Sequence, residues 1–303
     1  MRSEAPRSLG GREAQTPAPL RGEAPLRGEV ETGMDQHDMG AHFLALHRKG
    51  QPLLLANAWD VGSARLLASL GFDALATTSS GFAATLGRLD YSVSRDEALA
   101  HAGALVAATE LPVSADLENC FAEDLEGVAE TVRGAIAAGL AGCSIEDWSP
   151  AGEGRVYDLD SASARVRAAA DAAHARAPGL VLTARAENYL RGNPDLDDTI
   201  ARLRAYEEAG ADVLYAPGLR EGQDVQRIVE SVRAPVNVLA RPGLPPVQEL
   251  AALGVARVSV GGSFAFAAYG AAAAAARELR QQGTYGYSEL VAQGARAARE
   301  AFA

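Results

Sequence analysis

From about residue 36 the chain alternates short apolar runs with longer segments whose apolar positions recur every three or four residues. The short runs, at 53–57, 74–78, 111–115, 142–145, 180–184, 211–215, 236–239 and 257–260, read as buried parallel strands, because they are apolar on both faces. The longer segments predict helices over 62–70, 95–109, 123–138, 161–176, 196–209, 224–232 and 247–253, after an opening helix over 37–49. Gly71, Gly139, Gly210 and Gly254 each follow a helical segment, where a left-handed residue closes the last turn. Residues 79–90 and 148–157 read as loops, and two further helices, over 263–281 and 287–302, follow the last strand.

Eight strand–helix units over about 250 residues is the arithmetic of an α/β TIM (β/α)8 barrel. A doubly wound open sheet is the alternative. It would carry a glycine-rich nucleotide fingerprint after the first strand, and Asn57-Ala58-Trp59-Asp60 is not one. The expected organisation is one barrel domain over 36–303 with extra C-terminal helices, one of them placed to cover or exchange with a neighbouring subunit. Residues 1–35 are rich in Pro, Gly, Arg and Glu and poor in bulky apolar residues, so a disordered extension is expected there, with Met34 or Met39 as alternative starts.

Composition changes this picture little but narrows the partners. Hydrophobic residues make up 48% and charged residues 22% of the 303, which is ample for a packed core. A net charge of -11 argues against nucleic acid and anionic membranes as partners, since like charges repel and no counterions are released. Two cysteines, Cys120 and Cys143, are too few for a disulfide framework. With no apolar run near the roughly 18 residues of a membrane span and no signal-peptide core, a reducing, cytoplasmic setting is expected.

The polar residues collect at the C-terminal ends of the strands. Asp116 and Glu118 stand two apart where the third strand ends, so a strand would direct both carboxylates to one side. Asn57 and Asp60 follow the first strand, Thr78, Ser79 and Ser80 the second, Glu146 and Asp147 the fourth, Arg185 and Glu187 the fifth, and Asp90 lies in the second loop. In a barrel these ends converge on one mouth. Several carboxylates there repel one another unless a cation compensates them, and an all-oxygen set favours Mg²⁺, with Mn²⁺ as the substitute.

Single residues have plainer readings. Asp147 reads as a helix N-terminal charge and Asp60 stays open between that and the site. His37, His42, His47, His101 and His174 read as surface residues, and Cys120 as a buried structural thiol. Gly261-Gly262-Ser263 could take an anion at a helix start or serve close packing with Ser263 as N-cap; both stay open.

With Asn57-Ala-Trp-Asp-Val-Gly-Ser-Ala-Arg65, Leu86-Gly-Arg-Leu-Asp90, Ala115-Asp-Leu-Glu118, Ile145-Glu-Asp147 and Thr183-Ala-Arg-Ala-Glu187 read together, the chain resembles the isocitrate lyase and phosphoenolpyruvate mutase superfamily. The resemblance implies a Mg²⁺ enzyme acting on a 2-oxo acid or related carboxylate. It implies Asp116 as direct metal ligand and Asp90, Glu118 and Glu146 as carboxylates that reach the metal through water. It gives Arg185 the grip on the substrate, Thr78-Ser79-Ser80 the binding of its carboxylate or phosphonate, and Asn57 and Glu187 supporting places in the same pocket. Homodimers or homotetramers with an exchanged C-terminal helix are also implied.

The departures narrow the reaction. Isocitrate and methylisocitrate lyases carry a Lys-Lys/Arg-Cys-Gly-His segment after the fourth strand, and here the region reads Trp148-Ser-Pro-Ala-Gly-Glu-Gly-Arg155, without Cys or His. The lysine and asparagine of the phosphonopyruvate branch are missing too. Where the family often has Gly-Tyr-Gly, this chain has Cys120-Phe121-Ala122, so a different local backbone is expected. The resulting expectation is a lyase on a small 2-oxo acid, of oxaloacetate type, through a metal-stabilised enolate. The alternatives are a 2-oxo acid-binding protein without turnover and a phosphonopyruvate-type P–C cleaving enzyme.

Overall fold

The computed structural model describes residues 36–151, 154–175 and 179–303. The expected N-terminal extension, over 1–35, lies outside them. Helix α1 (Gln36–Ala45) precedes β1 (Leu53–Ala58), and α2 (Val61–Ser69) leads to β2 (Leu75–Thr77). Then come α3 (Ser79–Thr85), α4 (Arg95–Val106), β3 (Val113–Asp116), α5 (Leu125–Ala137) and β4 (Gly142–Glu146). A small hairpin of β5 (Trp148–Ser149) and β6 (Arg155–Val156) is followed by α6 (Leu159–Ala173), β7 (Val181–Arg185), α7 (Leu196–Glu208) and β8 (Val213–Tyr215). The chain ends with α8 (Gly222–Ser231), β9 (Val236–Leu239), α9 (Val247–Ala252), β10 (Arg257–Ser259), α10 (Ser263–Gln282) and α11 (Ser288–Phe302).

β1, β2, β3, β4, β7, β8, β9 and β10 pair in parallel in that order, and β10 returns to β1 to close the barrel. The expected TIM barrel is the fold observed. Leu75, Leu105, Leu117, Ile145, Leu182, Leu203, Leu214 and Ile228 are wholly buried, and this apolar shell positions everything at the mouth. Short polar side chains set where the helices begin. Asp60 and Ser94 each form a capping box, with Ser63 and Glu97 respectively, and Asp124, Asp158 and Asp195 accept backbone N–H bonds at the starts of α5, α6 and α7.

Two expected loops contain structure. Residues 79–85 form α3, with Thr78 as its cap accepting from the Gly81 N–H at 3.3 Å. In residues 148–157 the hairpin pairs Trp148 with Val156 and Ser149 with Arg155. Both pieces are too short to display a hydrophobic period. Ser263 opens α10 from inside the helix, and Gly262 occupies the cap position, which corrects the reading of Ser263 as N-cap. A Cβ at Gly262 would stand 2.7 Å from Ser80 Oγ, so close packing explains this glycine.

The other end of the barrel is closed by α1. Phe43 is fully buried with Leu53, Leu55, Ala74, Ala141, Val181 and Val213. His47, just after α1, is also buried and meets Phe43 edge-on at 4.9 Å between ring centroids, which corrects its surface reading. His101 is half-buried and stacked on Phe82 at 3.8 Å. His42 and His174 are exposed, as expected; the side chain of His37 lies outside the described residues. Among the described residues no helix is long and apolar enough to cross a membrane. α11 lies against α2, while Phe264, Phe266, Tyr269 and Leu279 of α10 and Leu290, Val291 and Phe302 of α11 are exposed.

Candidate active site

β3 ends at Asp116, whose backbone N–H donates to Thr77 Oγ1 at 2.9 Å across the β2–β3 seam. Its carboxylate Oδ2 accepts from Ser79 twice, from the hydroxyl at 3.0 Å and from the backbone N–H at 3.3 Å. The first turn of α3 is thereby fixed against the end of β3. Thr78 and Ser80 complete that turn, with their hydroxyl oxygens 3.2 Å apart.

Glu118 follows in a left-handed conformation, φ 51°, and is buried. Burial, then the charges of Asp116, Asp90 and Glu146, push its carboxyl up to about 9. Asp90 lies on an exposed stretch, yet the protein packed around its carboxyl and the Asp116 charge raise it as well. Glu146, at the end of β4, is raised to about 8, by burial first and then by Glu187 and Asp116, while Arg185 acts in the opposite direction. Asp116, Glu118, Glu146 and Asp90 are thus close enough to act on one another.

Arg185 ends β7 and stands between two acids, with Nη1 3.3 Å from Glu146 Oε2 and Nε donating to Glu187 Oε1 at 2.5 Å. Burial opposes its charge, but Glu146 and Glu187 outweigh it and stabilise the guanidinium. Its guanidinium carbon lies 5.4 Å from the centroid of the Tyr215 ring.

Sequence reasoning missed a second cation. Arg191 donates to Glu187 Oε2 at 2.8 Å and lies 3.6 Å from the Trp148 ring centroid. It also donates to the Tyr91 hydroxyl, which in turn donates to Glu146 Oε1 at 2.7 Å. Tyr91, Trp148 and Arg191 therefore join the second loop, the hairpin and the end of β7 into one rim. Glu187 and Arg191 four apart were the available signal for Arg191; nothing in the pattern marked Tyr91.

Two sequence candidates are engaged structurally. Asn57 donates to Thr77 O at 2.6 Å and accepts from the N–H groups of Val260 and Gly261 at 3.1 and 2.9 Å, so its amide stitches β1, β2 and the end of β10 together. Asp60 caps α2 and takes no part in the carboxylate cluster's hydrogen bonds. Asp147 is not the helix-terminal charge expected, since Asp158 caps α6. Its buried carboxylate accepts from Arg202 at 3.0 Å, from the Tyr206 hydroxyl at 2.5 Å and from the Glu187 N–H at 2.7 Å. It fixes the backbone from which Arg185 and Glu187 project.

The segment after Glu118 keeps glycine-like geometry without glycine. Cys120 and Phe121 have φ of 61° and 53°. Arg165 from α6 secures this loop by donating to the carbonyls of Asn119, Ala122 and Glu123 at 2.7, 2.6 and 2.9 Å. Cys120 is fully buried, and burial pushes its thiol up to about 12, which suits a structural residue.

With five carboxylates and two guanidiniums gathered at the mouth of a parallel barrel, comparison with known proteins places the chain. The phosphoenolpyruvate phosphomutase family matches over residues 43–280, and the chain belongs to that family of lyase and mutase enzymes. A crystal structure from Burkholderia cenocepacia J2315, provisionally described as a lyase/mutase, superposes with a TM-score of 0.81 at 50% identity, covering 84% of this chain and 92% of that one. Oxaloacetate decarboxylase of Chromohalobacter salexigens is 31% identical over 265 residues, 84% of this chain and 89% of the relative. The 2-methylisocitrate lyase of Escherichia coli is 29% identical over 211 residues, 67% and 70% of the two chains.

Proposed function

We propose that residues 36–303 form a Mg²⁺-dependent carbon–carbon lyase acting on a small 2-oxo acid of oxaloacetate type. The observation that carries this reading is the excess of carboxylates around Asp116, raised by burial first and then by neighbouring negative charge, beside the paired cation Arg185. Among the described residues no three His, Cys, Asp or Glu side chains are grouped as ligands to one ion. A hard cation bound directly by Asp116, and reached through water by Asp90, Glu118 and Glu146, would relieve this excess, since Mg²⁺ usually keeps several of its waters. When bound, Mg²⁺ would supply Lewis-acid polarisation of the substrate's 2-oxo group.

The chain's own residues do the rest. Arg185 and the Thr78-Ser79-Ser80 turn bind the carboxylate of the 2-oxo acid with charge-assisted hydrogen bonds. Glu146 and Glu187 orient Arg185, and Arg191 stacked on Trp148 forms the rim of the pocket. In a decarboxylation the bond between C3 and the departing carboxylate breaks, its electron pair passes into the 2-oxo group, carbon dioxide leaves, and the enolate takes a proton at C3 from solvent water, leaving hydroxide to the buffer. The step needs no side-chain base, which agrees with a 148–157 segment lacking Cys and His. The relatives that are oxaloacetate decarboxylases support this substrate class.

Initial rates on oxaloacetate and a panel of 2-oxo acids, measured above a blank with Mg²⁺ alone, test the reading. Equal rates for wild type and Asp116→Ala would sink it. The exposed apolar residues of α10 and α11 support a homodimer or homotetramer, which light scattering on the purified chain would register as a multiple of 31.4 kDa.

A further inference from the structure

Beneath the mouth the barrel interior stays polar, where bulky aliphatic layers are the rule. A chamber of about 50 Å³ is lined by Ser144, Thr183, Asn237, Arg257 and Ser259 and, towards the mouth, by Asp116 and Arg185. Arg257 is 4% exposed. Its Nη2 donates to Thr183 Oγ1 at 3.0 Å and its Nη1 lies 3.1 Å from His47 Nε2. His47 Nδ1 is 2.9 Å from the Phe43 carbonyl oxygen and donates to it, so Nε2 is the acceptor and the imidazole is neutral. Among the described residues Arg257 makes no ion pair, and its Nε is a buried donor without a partner.

A second orphan stands beside it. Asn237 is the register partner of Arg257 across the β9–β10 seam, is 1% exposed, and has an Oδ1 without a partner while Nδ2 donates to Ser259 Oγ at 3.0 Å. Turning the amide over lets the Ser259 hydroxyl donate to Oδ1 and brings an amide N–H to the position Oδ1 now occupies.

We propose that this chamber binds one small monovalent anion of halide size, held by the Arg257 guanidinium and the Asn237 amide. A buried guanidinium needs a counter-charge as well as a hydrogen-bond acceptor, and water supplies only the second. The nearby mouth acids are engaged elsewhere, Glu146 and Glu187 with Arg185 and Asp116 with Ser79. A water molecule occupies about 30 Å³ of liquid, so the chamber takes one halide ion and about one water. Asp116 and Arg185 border the same chamber, so the anion would lie at the floor of the proposed active-site pocket; its binding is read by stability and diffraction, which need no turnover.

Thermal unfolding of the full chain in sodium gluconate, sodium chloride and sodium bromide at one ionic strength tests the proposal, together with bromine-edge diffraction from crystals grown in bromide. The expected result is a saturable rise of about 3–6 °C in both halides, with an anomalous peak beside Arg257 Nε. Arg257→Met should remove the peak and the halide dependence. Equal midpoints in the three salts would overturn the proposal, as would a chamber filled only by water in bromide-grown crystals. A peak without a midpoint shift would mean an adventitious ion only and would overturn it equally. The wild-type measurements decide the question even if Arg257→Met fails to fold.

Discussion

At the mouth of the barrel, Asp90, Asp116, Glu118, Glu146 and Glu187 face Arg185 and Arg191; at its floor, Arg257 faces a neutral His47 and a ring of hydroxyls. Both places bury charge that the protein does not balance, with opposite sign. The mouth is open to solvent and to a ligand, so its negative excess can be relieved by a bound cation. The floor is closed from beneath by α1 and Phe43, and there the titratable neighbour also gives way, with burial and Arg257 pushing His47 down to about 3. An unbalanced cluster at the mouth thus calls for a cation, whereas at the floor it calls for an anion and also holds His47 neutral.

The largest effect that would sharpen this contrast is catalytic. Asp116→Ala should lower the Mg²⁺-dependent rate on a 2-oxo acid by about a thousandfold, while thermal midpoints fall little, because the substitution also removes repulsion. A large loss of stability with little loss of rate would reverse the assignment. Asp147→Ala is the counterpart, a buried acid with full partners: taking the acceptor from Tyr206 and the Glu187 N–H, and leaving Arg202 with Asp198 alone, should cost about 3–5 kcal/mol in urea unfolding. If it costs less than surface substitutions do, the balanced and unbalanced acids are not different in kind.

Arg185→Lys should reduce kcat/KM by about 10- to 100-fold, mainly through KM, since an ammonium cannot reproduce the fork that spans Glu146, Glu187 and a substrate carboxylate. An unchanged KM would remove Arg185 from substrate binding. At the floor the prediction concerns acid. His47 has a folded value near 3 against 6.5 unfolded, so below pH 6.5 the unfolded chain takes up a proton that the folded one refuses. Its contribution to stability is therefore kept above pH 6.5 and lost towards pH 3, at a slope of up to about 1.4 kcal/mol per pH unit. Unfolding titrations of wild type and His47→Gln should diverge only on that limb. The smallest effect belongs to the exposed pair Arg95–Glu130, where Glu130→Gln should change stability by less than about 1 kcal/mol.

The barrel was legible because the strands are mainly apolar runs and most helices are opened by a cap or closed by a glycine, so local signals and fold agree. The strand-end acids and Arg185 were legible for the same reason, as polar residues interrupting apolar runs. Tyr91 and Arg191 were hidden because they lie in irregular segments, where no period says which way a side chain points. Asp147 misled because an acid between a strand and a helix looks the same in sequence whether it caps the helix or pairs with a cation 55 residues later. His47 misled because its burial comes from α1 folding under the barrel, a contact no local pattern encodes.

Glu118, Cys120 and Phe121 occupy backbone conformations that side chains with a Cβ adopt reluctantly, at about 1–3 kcal/mol each. The consequence is a selection hazard for anyone improving this protein. A library screened for heat resistance alone should enrich glycine and asparagine at these three positions, because they relax the backbone. Gains at 120 and 121 would be harmless to the carboxylate cluster. A gain at 118 would delete one of its members, so screens that score survival and screens that score turnover should part company at that residue first.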